Sequence, residues 1–314
     1  MKYILKKIII FMVTLLIVSV LAFLAFQIIP GDPATSMLGT EATPEKIAAL
    51  RQEMGLNQPI TARYMQWLSA FVQGDMGTSY SYKLPVSDMV VDKIPITVAL
   101  TVEAFLMILL LSIPLGIYAA KHKDSKMDKL LIVGNQIMMA VPPFFLGILL
   151  TFLFGLVLQW FTPGGYISYK ESVLGFLGYL LLPAISIALP KCAMTGKLLR
   201  GSVIEESRKD YVRTAYIRGN SVNGVLYRHV LKNAIIPVVT FLAMVLADIV
   251  AGSIIIEQVF GIPGLGRLLI SSIQNRDYPV VQAIIIWIAL IVLLSNLTAD
   301  ILHKVLDARV ELTA

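Results

Sequence analysis

Six long apolar stretches, separated by polar segments, organise the chain. Each is long enough and apolar enough to cross a bilayer as a helix, which takes about 20 residues. The six predicted spans are residues 8–29, 95–120, 130–161, 174–194, 234–256 and 281–302. The first has no charge and no small-x-small cleavage pattern, so we expect a retained helix rather than a signal peptide. Pro142-Pro143 predicts a kink in the third span.

Composition and charge support this pattern and predict an orientation. Of the 314 residues, 57% are hydrophobic and 15% are charged, whereas soluble domains carry about 25% charged residues. The polar segments assigned to the inside hold 18 basic residues, Lys191 among them, against 7 acidic ones, and those outside hold 8 against 10. The excess predicts both termini in the cytoplasm, and it attributes the net charge of +6 to topology rather than to nucleic-acid binding.

The spans divide an all-α polytopic chain into four expected regions. Residues 1–29 are an N-terminal transmembrane helix, 30–94 an extracytoplasmic segment, 95–303 a unit of five packed spans, and 304–314 a cytoplasmic tail. Residues 257–280 are expected to form an outer loop.

A polar interlude at residues 197–233 separates the fourth and fifth spans. It holds eight basic and three acidic residues. We expect a helix of about four turns around Asp210, ended by Gly219, and a second short helix that leads into span five. The small pair Thr214-Ala215 would let another backbone approach closely. A solvated basic loop would explain the charge of this segment. It would not explain the length, because a few residues suffice to connect two helices.

Charged residues inside spans are the other candidates. Asp248 lies near the middle of span five, where a charge costs roughly 2.5–3.5 kcal/mol on insertion scales. It either lines a water-filled path or hydrogen-bonds a neighbouring helix. Glu103 lies nearer the outer interface and also has both interpretations.

Several chemistries are disfavoured by the motifs. Gly196-Lys197 is the only Gly-Lys pair, and Leu198 stands where a P-loop needs Ser or Thr, so ATP hydrolysis by this chain is not expected. The sequence has three histidines and one cysteine, without a cluster that would predict a metal site. Serines and threonines in the spans lack a base partner, which disfavours a membrane hydrolase. An ion-coupled secondary transporter stays open as a different class, although it would call for inverted repeats.

The interlude resembles the EAA loop of binding-protein-dependent ABC importer permeases. The residues that carry the resemblance are Arg213-Thr214-Ala215, then Gly219, then His229-x-Leu231. The closest likeness is to the dipeptide, oligopeptide and nickel branch. Residues 27–33, 257–266, 276–279 and 307–310 are also similar to segments of that branch. Two departures are Arg213, where the generic loop has glutamate, and Ala308, where the branch usually has proline.

The resemblance implies a fold, partners and site residues. The fold would be a type I ABC importer transmembrane domain, with coupling helices at about residues 202–232. Its partners would be a second homologous permease chain, two ATP-binding subunits that hold ATP and Mg, an extracytoplasmic substrate-binding protein and the lipid bilayer. The residues expected to contact an ATPase subunit are Asp210, Tyr211, Arg213, Thr214, Ala215, Gly219, His229 and Asn233.

The same resemblance suggests how the chain would work. The outer run from residue 261 to residue 266 would dock the binding protein, through Gly261, Pro263, Gly264 and Gly266. Asp248 and Glu103 are candidates for the translocation path. The implied mechanism is alternating access without a cofactor on this chain, and the expected substrate is a short peptide, with nickel or a nickel chelate as the alternative.

Overall fold

The computed structural model describes residues 2–28, 33–39, 42–53 and 55–306, which form helices joined by turns. The long helices are α1 (Lys2–Ile28), α6 (Ile94–Lys121), α7 (Lys126–Ala140), α9 (Val173–Glu206), α13 (Ile236–Phe260) and α15 (Tyr278–Leu306). The shorter ones are α2 (Pro33–Leu38), α3 (Pro44–Glu53), α4 (Ile60–Val72), α5 (Val86–Val91), α8 (Pro143–Leu150), α10 (Asp210–Ile217), α11 (Val222–Val225), α12 (Leu231–Ala234) and α14 (Leu265–Gln274).

The helices confirm the prediction of an all-α membrane protein. Within the described ranges, five helices are long and apolar enough to cross a membrane, and α7 with Pro143–Val157 makes six if that pair forms one crossing. The pair is bent by 99°, far more sharply than the predicted kink. The chain is extended at Val141 and Pro142, and α8 restarts with Pro143 at its first position. Proline at the start of a helix loses no hydrogen bond, so two separate helices form here.

The helices pack as two compact units, and the first comprises Met1–Thr97 with Pro263–Leu293. In this unit Ser19 of α1 shares a 2.8 Å hydrogen bond with Tyr64 of α4, and Phe23 stacks edge-on against Tyr64. Asp277 is fully buried and accepts hydrogen bonds from the Ser79 hydroxyl and from the Tyr80 backbone N–H at 2.9 Å. Burial and the Asp277 carboxylate raise the pKa of Tyr80 to about 12. Asp277 therefore anchors the turn before α5 to the start of α15.

The second unit comprises Val98–Ile262 with Leu294–Ala314 and is built around α9. Helices α7, α8 and α13 all pack against α9. A Cβ atom at Gly116 of α6 would lie 3.0 Å from the Gly196 carbonyl and from Leu199 Cβ, so α6 also approaches α9 closely. Small residues permit such close packing between membrane helices.

The structure corrects two expected boundaries. Helix α9 does not end near residue 194 but continues to Glu206, so Lys191 lies inside a helix and not in an inner loop. Residues 257–280 are not a loop, because they contain the end of α13, all of α14 and the start of α15. Residues 29–32 and 307–314, which carry part of the family resemblance, lie outside the described residues.

Candidate functional site

The polar interlude folds as the end of α9 followed by a chain of short helices. Helix α10 has 8 residues, about two turns and not the expected four. The difference arises because residues 207–209 form a turn that separates α9 from α10, and Lys209 is extended at the helix start. Gly219 ends the helix region at φ +82°, in the left-handed conformation expected for it. Helix α11, a π-helical turn at Leu226–Val230 and α12 then lead into α13.

Helix α10 has a buried and an exposed face. Val212 and Ala215, three positions apart, are both buried. Asp210, Arg213 and Thr214 are exposed. Ala215 therefore packs within this chain, and of the small pair only Thr214 faces outward.

Tyr211 joins the ends of three helices through its phenol group. Its O–H donates to Glu206 Oε1 of α9 at 2.7 Å, and Asn233 Nδ2 of α12 donates to the phenol oxygen at 3.0 Å. The backbone carbonyl of His229 lies 3.3 Å away. Burial and the hydrogen bond to the Glu206 carboxylate raise the pKa of Tyr211. Three of the predicted site residues, Tyr211, His229 and Asn233, thus meet at one point, together with Glu206, which the sequence did not indicate.

Tyr211→Phe is expected to loosen this junction while the membrane helices remain folded. The variant removes the donor to Glu206 and the acceptor of Asn233, which should cost about 1 kcal/mol. Amide hydrogen exchange in α10 and α12 should then accelerate roughly fivefold. Tyr216→Phe is the matched control, since the Tyr216 side chain is exposed and has no described hydrogen bond. Equal exchange in both variants would contradict the role of Tyr211.

An ion pair lies within the membrane helices of the second unit. Lys191 Nζ of α9 donates to Asp248 Oδ2 of α13, and both residues lie near the middle of their helices. The Lys191 side chain is 19% exposed, and that of Asp248 is 60% exposed. The sequence left two interpretations of Asp248 open, and the structure is compatible with both. Asp248 pairs with a neighbouring helix, and its side chain is also exposed on the surface of the chain.

Other predicted residues are placed differently. Glu103 is half-buried in α6, and its Oε2 atom has no hydrogen-bond partner among the described residues. Gly261 ends α13 at φ +69°. Gly264 and Gly266 are buried at the start of α14, so they do not form the exposed outer loop that was expected.

Together these features define a multi-pass helical membrane protein in which a chain of short, partly exposed helices connects α9 to α13. The family described as "Binding-protein-dependent transport system inner membrane component" matches residues 112–312, and its N-terminal companion family matches residues 1–101. The chain belongs to this family, which confirms the resemblance to ABC importer permeases and makes it a multi-pass protein of the bacterial inner membrane.

Relatives match along nearly the whole chain. The chain is 36% identical over 296 residues to a Brucella abortus protein provisionally named a peptide transport system permease, with 94% of each chain covered. It is 34% identical over 312 residues to the oligopeptide transport system permease protein AppB of Bacillus subtilis, which covers 98% of this chain and 99% of AppB. It is also 34% identical over 307 residues to the glutathione transport system permease protein GsiC of Salmonella typhimurium, with 98% of each covered.

Proposed function

We propose that this permease subunit carries short peptides across the inner membrane, and that α10 to α12 receive the force from an ATPase subunit. The names of its relatives support the substrate class, since they refer to peptide, oligopeptide and glutathione transport. The nickel alternative has no comparable support from these names. The energy would come from two ATP-binding partner subunits, and a second homologous permease chain would complete the pathway.

The observation that carries the coupling role is exposed apolar surface in a polar segment. Ile217 is 79% exposed, and Tyr216, Val222 and Tyr227 are also well exposed. Arginines flank them, and apolar patches rimmed by polar residues mark protein interaction sites. A partner that covers these side chains would be tied through the Tyr211 junction to α9 and to α12, which leads into α13, so its movement would reach the membrane helices.

The outer face would receive a substrate-binding protein, and the burial of Gly264 and Gly266 changes how it could dock. These glycines would shape the turn into α14, while contacts with the binding protein would fall to exposed side chains later in that segment, such as Arg267 and Ile273. We also propose that residues 1–94 are an addition to the five-span unit at residues 95–303.

Ile217→Cys is expected to cross-link to a cysteine in the groove of the ATPase subunit, with a yield that changes when ATP binds. The native Cys192 is buried, so the introduced thiol should be the reactive one. Leu174→Cys is the control, because Leu174 is exposed at the opposite end of α9. Cross-linking of both variants, or of neither, would argue against this surface as the coupling site.

A further inference from the structure

The Lys191–Asp248 pair is costly to place inside a membrane, which calls for an explanation. Each helix could have carried an apolar side chain at this position, as most of α13 does. Charged side chains within spans almost always face the protein interior or water, and they often mark substrate pathways. Lys191 neutralises the charge of Asp248. However, two apolar residues at these positions would hold the helices together equally well, so stability alone does not explain the pair.

The pair is asymmetric in its exposure. Lys191 is largely covered, whereas Asp248 is mostly open on the surface of α13. Lys191 donates to Oδ2, and no described residue donates to Oδ1. An ionised carboxylate has about four lone-pair sites, so several acceptor positions remain for another donor.

The surface around Asp248 leaves room for that donor. Met244, Ala251, Gly252 and Ile255 are exposed beside it at helical spacing. Ala251 and Gly252, one turn along, present almost no side chain. The face is therefore an apolar surface that carries one carboxylate, and a charged group of this kind is costly to expose to lipid. A small cationic group reaching this surface would meet one well-placed anion.

We propose that Asp248 binds the free α-ammonium group of a peptide in transit, with Lys191 as the positioning residue behind it. This proposal rests on the proposed peptide substrate. The exposed member of the pair is the Asp248 carboxylate, which favours a cationic ligand. A peptide N-terminus is such a cation and has three N–H donors. Because Lys191 shares the carboxylate, the bound ammonium has a resident competitor. Such a site can be entered and left, as transport requires.

The test uses the whole complex, reconstituted in liposomes with its binding protein, and two versions of one short peptide. One has a free N-terminus and the other is N-acetylated, and each is first shown to be bound by the binding protein. The wild-type complex is expected to take up the free peptide at least tenfold faster. The double variant Lys191→Met with Asp248→Asn should lose this preference and transport both peptides at similar rates.

The double variant separates recognition from helix adhesion. Removing both charges leaves no unpaired ion, so its thermal stability in detergent should stay near that of wild type. The control Ser253→Ala lies on the buried face of α13 and should keep the preference. A double variant that still prefers the free peptide overturns the proposal. A wild-type complex that shows no preference also overturns it, and that result does not depend on any variant folding correctly.

Two further outcomes are distinguishable. If Asp248→Asn makes the complex lose its second permease chain during purification, Asp248 holds that partner and the peptide site is rejected. If the wild type takes up neither peptide with ATP, the peptide substrate itself is wrong and both proposals fail. Active uptake without any preference rejects only the ammonium site.

Discussion

Replacing Arg200 with methionine is expected to lower the free energy of unfolding by about 3 kcal/mol, because it leaves a buried carboxylate without its cation. Asp128 lies in the first turn of α7 and is 1% exposed, while Arg200 of α9 is 21% exposed. Arg200 Nε donates to Asp128 Oδ1 at 2.6 Å, and Nη2 donates to Oδ2 at 2.7 Å. This two-bond geometry matches the planar guanidinium fork to the carboxylate, which lysine cannot reproduce.

The measurement is the thermal unfolding midpoint of the purified chain in detergent. The double variant Arg200→Met with Asp128→Asn should recover most of the loss, since no buried charge remains. Asparagine also keeps an oxygen that can accept from the Asp124 backbone N–H, as Asp128 now does at 2.9 Å. Arg200→Lys should give an intermediate midpoint. If Arg200→Met unfolds at the wild-type temperature, the ion pair adds nothing to the packing of α7 on α9.

The two ion pairs that join α9 to α13 and to α7 escaped prediction for the same reason. The prediction of orientation counts Lys and Arg residues in the loops on each side of the membrane. It therefore assigns Lys191 and Arg200 to an inner loop. The structure instead continues α9 through both, because helical hydrogen bonds do not depend on the polarity of the side chains. Their partners, Asp248 and Asp128, lie 57 and 72 residues away. Sequence neighbours carry no sign of such a pairing.

The spans themselves were predictable because a bilayer imposes a length and an apolar composition on each helix. The loop assigned to residues 257–280 was wrong, although a signal was present. Leu265, Leu268, Leu269 and Ile273 recur at spacings of three and four, which is the pattern of an amphipathic helix. The glycines before these residues favour a turn, and the prediction extended that turn over the helix that follows.

Gly219→Val is expected to reduce the ATPase activity stimulated by loaded binding protein at least fivefold, without removing the permease from the membrane. Gly219 has φ +82°, and a Cβ atom there would meet nothing within 4 Å. The penalty is therefore backbone strain and not collision, about 1–2 kcal/mol for an L residue in this region and most severe for a β-branched one. Relieving it would shift α10, because the Gly219 N–H donates to the Tyr216 carbonyl at 2.9 Å and the Asn220 side chain donates to the Ala215 carbonyl at 3.0 Å.

Graded substitutions separate this strain from a general effect of adding a side chain. Gly219→Asn should retain most of the stimulation, because asparagine tolerates the left-handed region, and Gly219→Ala should lie between asparagine and valine. Gly201→Val is the matched control: Gly201 is exposed in α9, its Cβ position is equally open, and its backbone is helical, so valine there should be nearly neutral. Undiminished stimulation in Gly219→Val would remove the coupling role from α10. ATPase stimulation that increases from the valine to the alanine to the asparagine variant would instead tie coupling to the backbone conformation at this one turn.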